Sequence, residues 1–281
     1  MIVSIKGADF SADNLGKVTI PRNLRAFTTA AILASGKTDL TETQKYALDD
    51  FFRAIGAGEV GDTIASRLKY LFIPIIAGDL SKALINYKDA GFNVEGTPNS
   101  AQWALNEKGL YGQNNTSTGS ITLTLDTPLL QDNVSMLFFR GDIMPDTNPG
   151  NQHYISIRGK TNTSKWLSMY QYQNTSNEGH FTTGGLPSQW VTGGYDETYP
   201  TINGYNLTSS PKKIIGGVAS SVTAPSVDMS TELQQTIYAF GMSSKNTIPT
   251  AFAMLGQGLS ESELTAVLTS LELLRDAFLR S

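Results

Sequence analysis

The sequence contains no cysteine, which excludes disulfide bridges, thiolate metal sites and cysteine nucleophiles. Only two histidines occur, His153 and His180, and they are far apart in the chain. The patterns G-x-S-x-G, H-E-x-x-H and the phosphate-binding loop are also absent. Nucleophilic, zinc-peptidase and phosphoryl-transfer chemistry therefore have no starting point in this sequence.

Long apolar runs are missing as well, because no segment approaches the roughly 20 apolar residues of a membrane span. The N-terminal residues lack the basic start and apolar run of a signal peptide. We therefore predict synthesis in a cytoplasm and no membrane insertion. Charged residues make up only 16% of the chain and the net charge is −4, so nucleic acid is not a predicted partner.

The abundant residues are Gly, Ser, Thr and Asn, which are typical of sheets joined by polar turns. Two segments organise the predicted sheet. Residues 121–125 alternate between apolar and polar side chains, the pattern of a strand with one buried face. Residues 134–140 are apolar on both faces apart from Ser135, so we expect this strand to be covered on two sides, inside a sandwich or beneath helices.

Many further short strands are predicted, separated by Gly, Asn and Pro, with no repeat of fixed period. These features predict a mainly β sandwich or jelly roll over residues 75–281. A helix is expected to close it over residues 260–279, because Ser260 and Glu263 form a capping box ahead of a broad apolar face.

The segment before the sandwich divides into two parts. Residues 1–40 show little helical period and no strong core pattern, and short extended pieces such as 2–5 and 18–20 are separated by turn residues. This N-terminal arm is either an edge strand of the main sheet or a tether that adds strands to a partner subunit.

Residues 41–74 predict two short helices. Thr41 and Gln44 form a capping box for the first, and the second begins near Gly61 and ends before Pro74. The pair is compatible with lids over the sheet and with a small oligomer-forming bundle.

Three stretches carry a family resemblance, namely VSIKGADFSADNLGKVT, SRLKYLFIPIIAGDLSKALINYKDAG and FAMLGQGLSESELTAVLTSLELL. In this order they resemble virion structural proteins of tailed phages, particularly those of gut Bacteroidetes hosts, which are similar to concanavalin A-like or laminin-G-like jelly rolls. The resemblance covers most of residues 41–281. It departs from the family at residues 72–77, where a glycine pair is more common.

The resemblance implies a non-enzymatic virion protein of a fibre, tail tip or capsid decoration. Other virion proteins would bind through the N-terminal arm, and the chain would form a homo-oligomer such as a trimer. The sequence itself also argues against catalysis. A jelly-roll glycosidase needs paired carboxylates on one strand face. The nearest acidic pair, Asp196 and Glu197, is adjacent and so faces opposite ways.

One loop has the oxygen-rich composition of a calcium site, with Asp142, Asp146, Asn148 and His153 in close succession. The alternative is a turn in which Asp and Asn bond to their own backbone. No other cofactor is predicted.

A stretch rich in Trp and Tyr, interleaved with Gly, Asn, Ser, Thr and Gln, spans residues 166–205. Aromatic faces stack on sugar rings and the polar side chains bond to hydroxyls, so this composition suits binding of a host-surface glycan. Packing across a sheet or against another subunit are the alternatives. The candidate binding residues are Trp166, Tyr170, Tyr172, Trp190, Tyr195 and Tyr199, with Tyr205 at the end of the stretch. Two alternative functions remain. The first is a free or cell-surface carbohydrate-binding module, and the second, less favoured, is a polysaccharide depolymerase.

Overall fold

The computed structural model describes residues 23–96, 98–113, 121–125, 127–142, 152–160, 166–171, 178–183, 189–194, 202–223, 229–232, 234–239 and 248–280. Between residues 152 and 194, side chains are described only at positions 157–160 and 167. Within the described chain, no helix combines the length and the apolar character needed to cross a membrane.

The described helices and strands follow in chain order. The helices are α1 (Ala26–Ser35), α2 (Glu42–Ala54), α3 (Ile64–Arg67) and α4 (Glu261–Leu279), with 3-10 turns at Pro74–Ile76 and Leu80–Lys82. The strands are β1 (Leu68–Phe72), β2 (Trp103–Asn106), β3 (Gly109–Gly112), β4 (Ile121–Leu125), β5 (Val134–Arg140), β6 (Gln152–Gly159), β7 (Trp166–Gln171), β8 (Glu178–Thr183), β9 (Gln189–Gly194), β10 (Ile202–Leu207), β11 (Lys212–Ile215), β12 (Val218–Ser221), β13 (Gln235–Ala239) and β14 (Thr250–Gly256).

The strands form two antiparallel sheets. The first sheet has the order β12-β11-β10-β5-β14-β3-β2, and β1 also pairs with β14. The second sheet has the order β4-β13-β6-β7-β8-β9. The predicted fold class is confirmed: the protein is a mainly β jelly-roll sandwich with N-terminal helices and a helix at its C-terminal end.

The first sheet lies between the helices and the second sheet, so the molecule has three layers. Along β5, Leu137 and Phe139 belong to the core formed with the helices, which we call the helix-side core. Met136 and Phe138 belong to the core formed with the second sheet, the inter-sheet core. All seven positions of β5 are buried, which confirms the prediction that this strand is covered on two sides.

Aromatic rings connect the first sheet to the helices. Phe139 of β5 stacks on Phe252 of β14, with ring centroids 5.3 Å apart. Phe51 of α2 meets Phe252 edge-on at 5.3 Å, and α1 joins through Phe27, whose ring lies 5.1 Å from that of Phe52. These contacts place α2 over β14.

Both predicted capping boxes are present. Thr41 and Gln44 cap α2 reciprocally, and Ser260 and Glu263 do the same for α4. The buried face of α4 packs against α2 and β10, as expected for a docked terminal helix.

Two elements differ from the sequence prediction. Residues 26–35 form a helix although residues 1–40 were predicted to lack helical period; α1 is apolar on most sides and has no side-chain cap of its own. The second predicted helix ends at Arg67, and residues 68–72 form β1 instead. Pairing with β14 outweighs the helical spacing of the apolar residues there.

The division into an arm (1–40), a helical pair (41–74) and a sandwich (75–281) stays a prediction. Residues 1–22 lie outside the described residues, and so do the extended pieces that defined the arm.

Candidate functional site

The predicted glycan-binding residues lie on or beside the second sheet. Trp166 and Tyr170 belong to β7, and Trp190 belongs to β9. Tyr172, Tyr195 and Tyr199 lie outside the described residues, as do the side chains of the three on strands. The backbone register is therefore what the structure contributes to this site.

That register aligns the three strand positions. Ser168 of β7 is paired with Thr182 of β8, which is paired with Trp190 of β9. Neighbouring strands lie about 4.8 Å apart, so the Cα atoms of Ser168 and Trp190 are about 10 Å apart. Trp166 and Tyr170 are the alternate neighbours of Ser168 along β7. The fold therefore gathers three residues that are up to 24 positions apart in sequence into one small area of the sheet.

A buried row identifies the opposite side of this sheet. Leu123, Ile237, Ile157 and Leu167 are paired in turn across β4, β13, β6 and β7. All four belong to the inter-sheet core. On β7 the residue of this row, Leu167, stands between Trp166 and Ser168 in the sequence.

Tyr205 does not belong with the candidate binding residues. It lies on β10 in the middle of the first sheet, is 1% exposed and packs in the inter-sheet core. This last aromatic residue of the stretch therefore packs inside the sandwich, and the six candidate binding residues stay a prediction.

The predicted calcium loop begins where β5 ends. Asp142 Oδ2 lies 2.8 Å from Lys108 Nζ, and both side chains are about two-fifths exposed. Gly141 lets the end of β5 pass close to the backbone of Lys108, since a Cβ at position 141 would lie 1.6 Å from the Lys108 carbonyl oxygen. Asp146 and Asn148 lie outside the described residues, and so does the His153 side chain. The described residues include no group of three metal-binding side chains, and the calcium site stays a prediction.

Two buried amide side chains hold loops to the sheets, each bonding the N–H and the C=O of a single residue. The Leu259 N–H donates to Asn206 Oδ1 at 2.8 Å, and Asn206 Nδ2 donates to the Leu259 carbonyl at 2.7 Å. Gln235 makes the same pair of bonds with Leu129, at 2.9 and 2.7 Å. We call these two pairs the amide clips.

A buried carboxylate fastens α1 to α2. Asp49 Oδ1 accepts bonds from Thr28 Oγ1 at 2.6 Å and from the backbone N–H and Nε of Arg25 at 3.2 and 3.3 Å, while Arg53 Nη2 donates to Oδ2 at 3.4 Å. Burial acts to raise the pKa of Asp49, but the hydrogen bonds from Thr28, Arg25 and Arg53 outweigh it and hold the pKa below its ordinary value of 3.8. Asp49 thus holds the start of α1 against α2.

Two depressions lie on the helical side of the first sheet. A polar cavity of about 240 Å³ is formed by β10, β11 and the start of α4, and a shallow apolar groove of about 420 Å³ runs between α2 and α4. The polar groups of the cavity are largely bonded to one another, as in the bond between the Ser210 N–H and Thr208 Oγ1 at 3.2 Å. Neither depression includes a predicted binding residue.

Sequence reasoning missed the amide clips and the Asp49 contacts. A polar residue inside an apolar strand or on a helix face was the available signal, but its partner is distant in the chain. Asn206 and Leu259 are 53 residues apart, and Gln235 and Leu129 are 106 apart.

No protein-family model matches the sequence, and no curated protein matches it. Solved structures do match in fold. The chain is similar to a sialidase of Trypanosoma rangeli in complex with 2,3-difluorosialic acid, with a TM-score of 0.50 and 11% identity over 82% of this chain and 39% of that chain.

Two other likenesses are weaker. Domain 4 of an extracellular arabinanase from Geobacillus stearothermophilus, in complex with arabinotriose, matches with a TM-score of 0.47 and 14% identity, over 72% of this chain and 98% of that domain. The CBM2 module of the evolved Dit of a Lactobacillus casei phage matches with a TM-score of 0.36 and 10% identity, over 60% of this chain and 83% of the module. Identities this low show nothing about activity.

Proposed function

We propose that the chain is a non-enzymatic structural protein of a phage virion, in a fibre, tail tip or capsid decoration, with a lectin-like surface on its second sheet. The observation that carries the binding surface is the register of β7, β8 and β9. It brings Trp166 and Tyr170 on β7 close to Trp190 on β9, with only β8 between them, and aromatic rings stack on sugars. The virion assignment is supported by the sequence resemblance.

Binding is tested by titrating the full chain with surface polysaccharides of the host bacterium. Trp190→Ala should weaken binding about tenfold, equivalent to about 1.4 kcal/mol. Tyr111→Ala is the matched control, because Tyr111 is a half-buried aromatic of β3 in the first sheet. Equal affinities of both variants and the unchanged chain would exclude a binding surface at β9.

The same titration tests whether glycan binding needs a metal ion. We propose that glycan binding needs no metal, so a calcium chelator should leave the affinity unchanged. Loss of binding in the chelator, restored by calcium, would instead support the site predicted at Asp142, Asp146 and Asn148.

Catalysis and location are tested separately. Prolonged incubation with the polysaccharide should release no reducing sugar. Release that disappears on replacing the acidic residues Asp142, Asp146, Asp196 and Glu197 would instead support a depolymerase. Mass spectrometry of purified phage particles should detect the chain. Its absence from particles, combined with glycan binding, would favour the free or cell-surface carbohydrate-binding module.

A further inference from the structure

The first sheet ends at β12, a strand with an open outer edge among the described residues. β12 pairs with β11 on one side, and no described strand lies on the other. All four of its residues are exposed, and Val218 is 69% exposed. Its sequence, Val-Ala-Ser-Ser, contains no proline or charged residue, which are the side chains that commonly prevent an edge from pairing with another chain.

At the opposite edge of this sheet, by comparison, backbone groups of β2 already have hydrogen-bond partners. At β2 the Trp103 N–H donates to the Asn99 carbonyl at 2.8 Å, and Gln113 Nε2 donates to the Trp103 carbonyl at 3.0 Å. These contacts occupy backbone groups of the edge residue. β12 has described flanking residues on both sides, and they make no such cover over its outer edge.

The faces of β12 are also suited to an added strand. Ile215 is paired with Val218, and Ile215 packs against the inter-sheet core. Val218 extends this apolar row to the edge of the sheet, where it meets solvent. A further strand with alternating apolar residues would cover Val218 and continue the row.

We propose that residues 17–20 of a second copy of this chain pair with β12 as an additional strand of the first sheet. The segment reads Lys-Val-Thr-Ile, so it has the length of β12 and alternates apolar residues with polar ones. It lies just before Asn23, where the described chain begins. This inference concerns assembly and does not depend on glycan binding.

The distance from the start of the described chain to β12 favours pairing with a second copy over pairing within the same chain. The described chain begins beside α1, which packs through Phe27 against Phe92, next to the segment that pairs with β1. β1 lies beyond β14, so five strand spacings of about 4.8 Å, or about 24 Å, separate it from β12. Three residue steps from Ile20 to Asn23 span at most about 11 Å.

The first test measures association of the full chain by sedimentation equilibrium. Val218→Lys and Val18→Lys should each weaken association at least tenfold, because each places a charge in the new strand pair. Leu33→Lys is the matched control, since Leu33 is an 83% exposed leucine of α1, which packs through Phe27 against Phe92 on the β1 side of the sheet. A chain that stays monomeric at every concentration, or equal effects of Val218→Lys and Leu33→Lys, would overturn the proposal.

The second test identifies the partner segment by disulfide trapping, which the absence of native cysteine makes specific. A chain with Val18→Cys and a mass-tagged chain with Val218→Cys should form a mixed disulfide in preference to one with a Leu33→Cys chain. If a chain carrying both Val18→Cys and Val218→Cys closes within one molecule, the segment pairs in cis and the proposal is wrong. Equal trapping at Val218→Cys and Leu33→Cys would show that β12 is not the docking edge.

Discussion

Strand β5 of the first sheet and strand β4 of the second differ in how many of their faces are buried. β5 in the first sheet is buried at every position, whereas β4 in the second sheet alternates between exposed threonines and buried leucines. Every residue of β5 is therefore constrained by packing on one side or the other. Along β4 only alternate residues carry that constraint, and the others are available for contact with solvent or ligands.

The largest expected effect tests whether both faces of β5 are covered in solution. Phe138→Ala and Phe139→Ala should each lower the free energy of unfolding by about 3–5 kcal/mol, because each removes a fully buried ring, one from each core. On β4, Leu123→Ala should cost about 2–5 kcal/mol, and Thr122→Ala less than about 0.5 kcal/mol. Urea unfolding measures all four. A cost below about 1 kcal/mol for one phenylalanine would show that one face of the first sheet is open.

A smaller effect is expected at an amide clip, which ties the loop before α4 to the first sheet. Asn206→Asp keeps the acceptor for the Leu259 N–H but sets an oxygen against the Leu259 carbonyl, at a cost of about 2–3 kcal/mol in unfolding free energy. Asn133→Asp is the control, because the exposed Asn133 uses only its oxygen, which accepts the Gly258 N–H at 2.9 Å. Equal losses for both variants would mean that the clip adds nothing specific.

The smallest expected effect concerns the layer of helices over the first sheet. Asp49→Asn should cost about 1–2 kcal/mol at pH 7, because the charged oxygen strengthens the bonds from Thr28 and Arg25. The pKa of Asp49 is lowered in the folded state, so this stabilisation is complete above the unfolded pKa of about 3.9 and is lost as pH falls through the lower folded value.

Unfolding of both proteins at pH 7 and at about pH 2–3 measures this pH dependence. The gap between them should narrow at the lower pH. Asp39→Asn provides a comparison at an acid that is 78% exposed, where the change should stay within about 0.5 kcal/mol. A gap that is constant with pH would show that the Asp49 charge is not what fastens α1.

Local patterns predicted the elements whose causes are local. The capping boxes at Thr41 and Ser260 are set by residues three positions apart, and both helices form where these predict. The largely apolar run of β5 predicted two covered faces without revealing what covers them. The structure shows what covers them: helices lie on one face of β5 and the second sheet lies on the other.

Elements fixed by distant partners could not be predicted in this way. The start of α1 is held by Asp49, which lies 24 residues after Arg25. β1 follows from pairing with β14 near the other end of the chain, and the Asn86 side chain supports it by accepting the Leu71 N–H at 3.0 Å. The same holds for the candidate site, because strand register alone brings Trp190 level with Ser168.

The amide clips also affect how the protein ages. An asparagine or glutamine side chain can lose ammonia slowly in water and become a carboxylate. At Asn206 or Gln235 this reaction would turn the bonded donor into a second acceptor facing a backbone carbonyl. Both side chains are almost fully buried, at 2% and 0% exposed, which shields them from water while the protein is folded. Each unfolding event would expose them, so the folded state protects the chemical groups that hold it together.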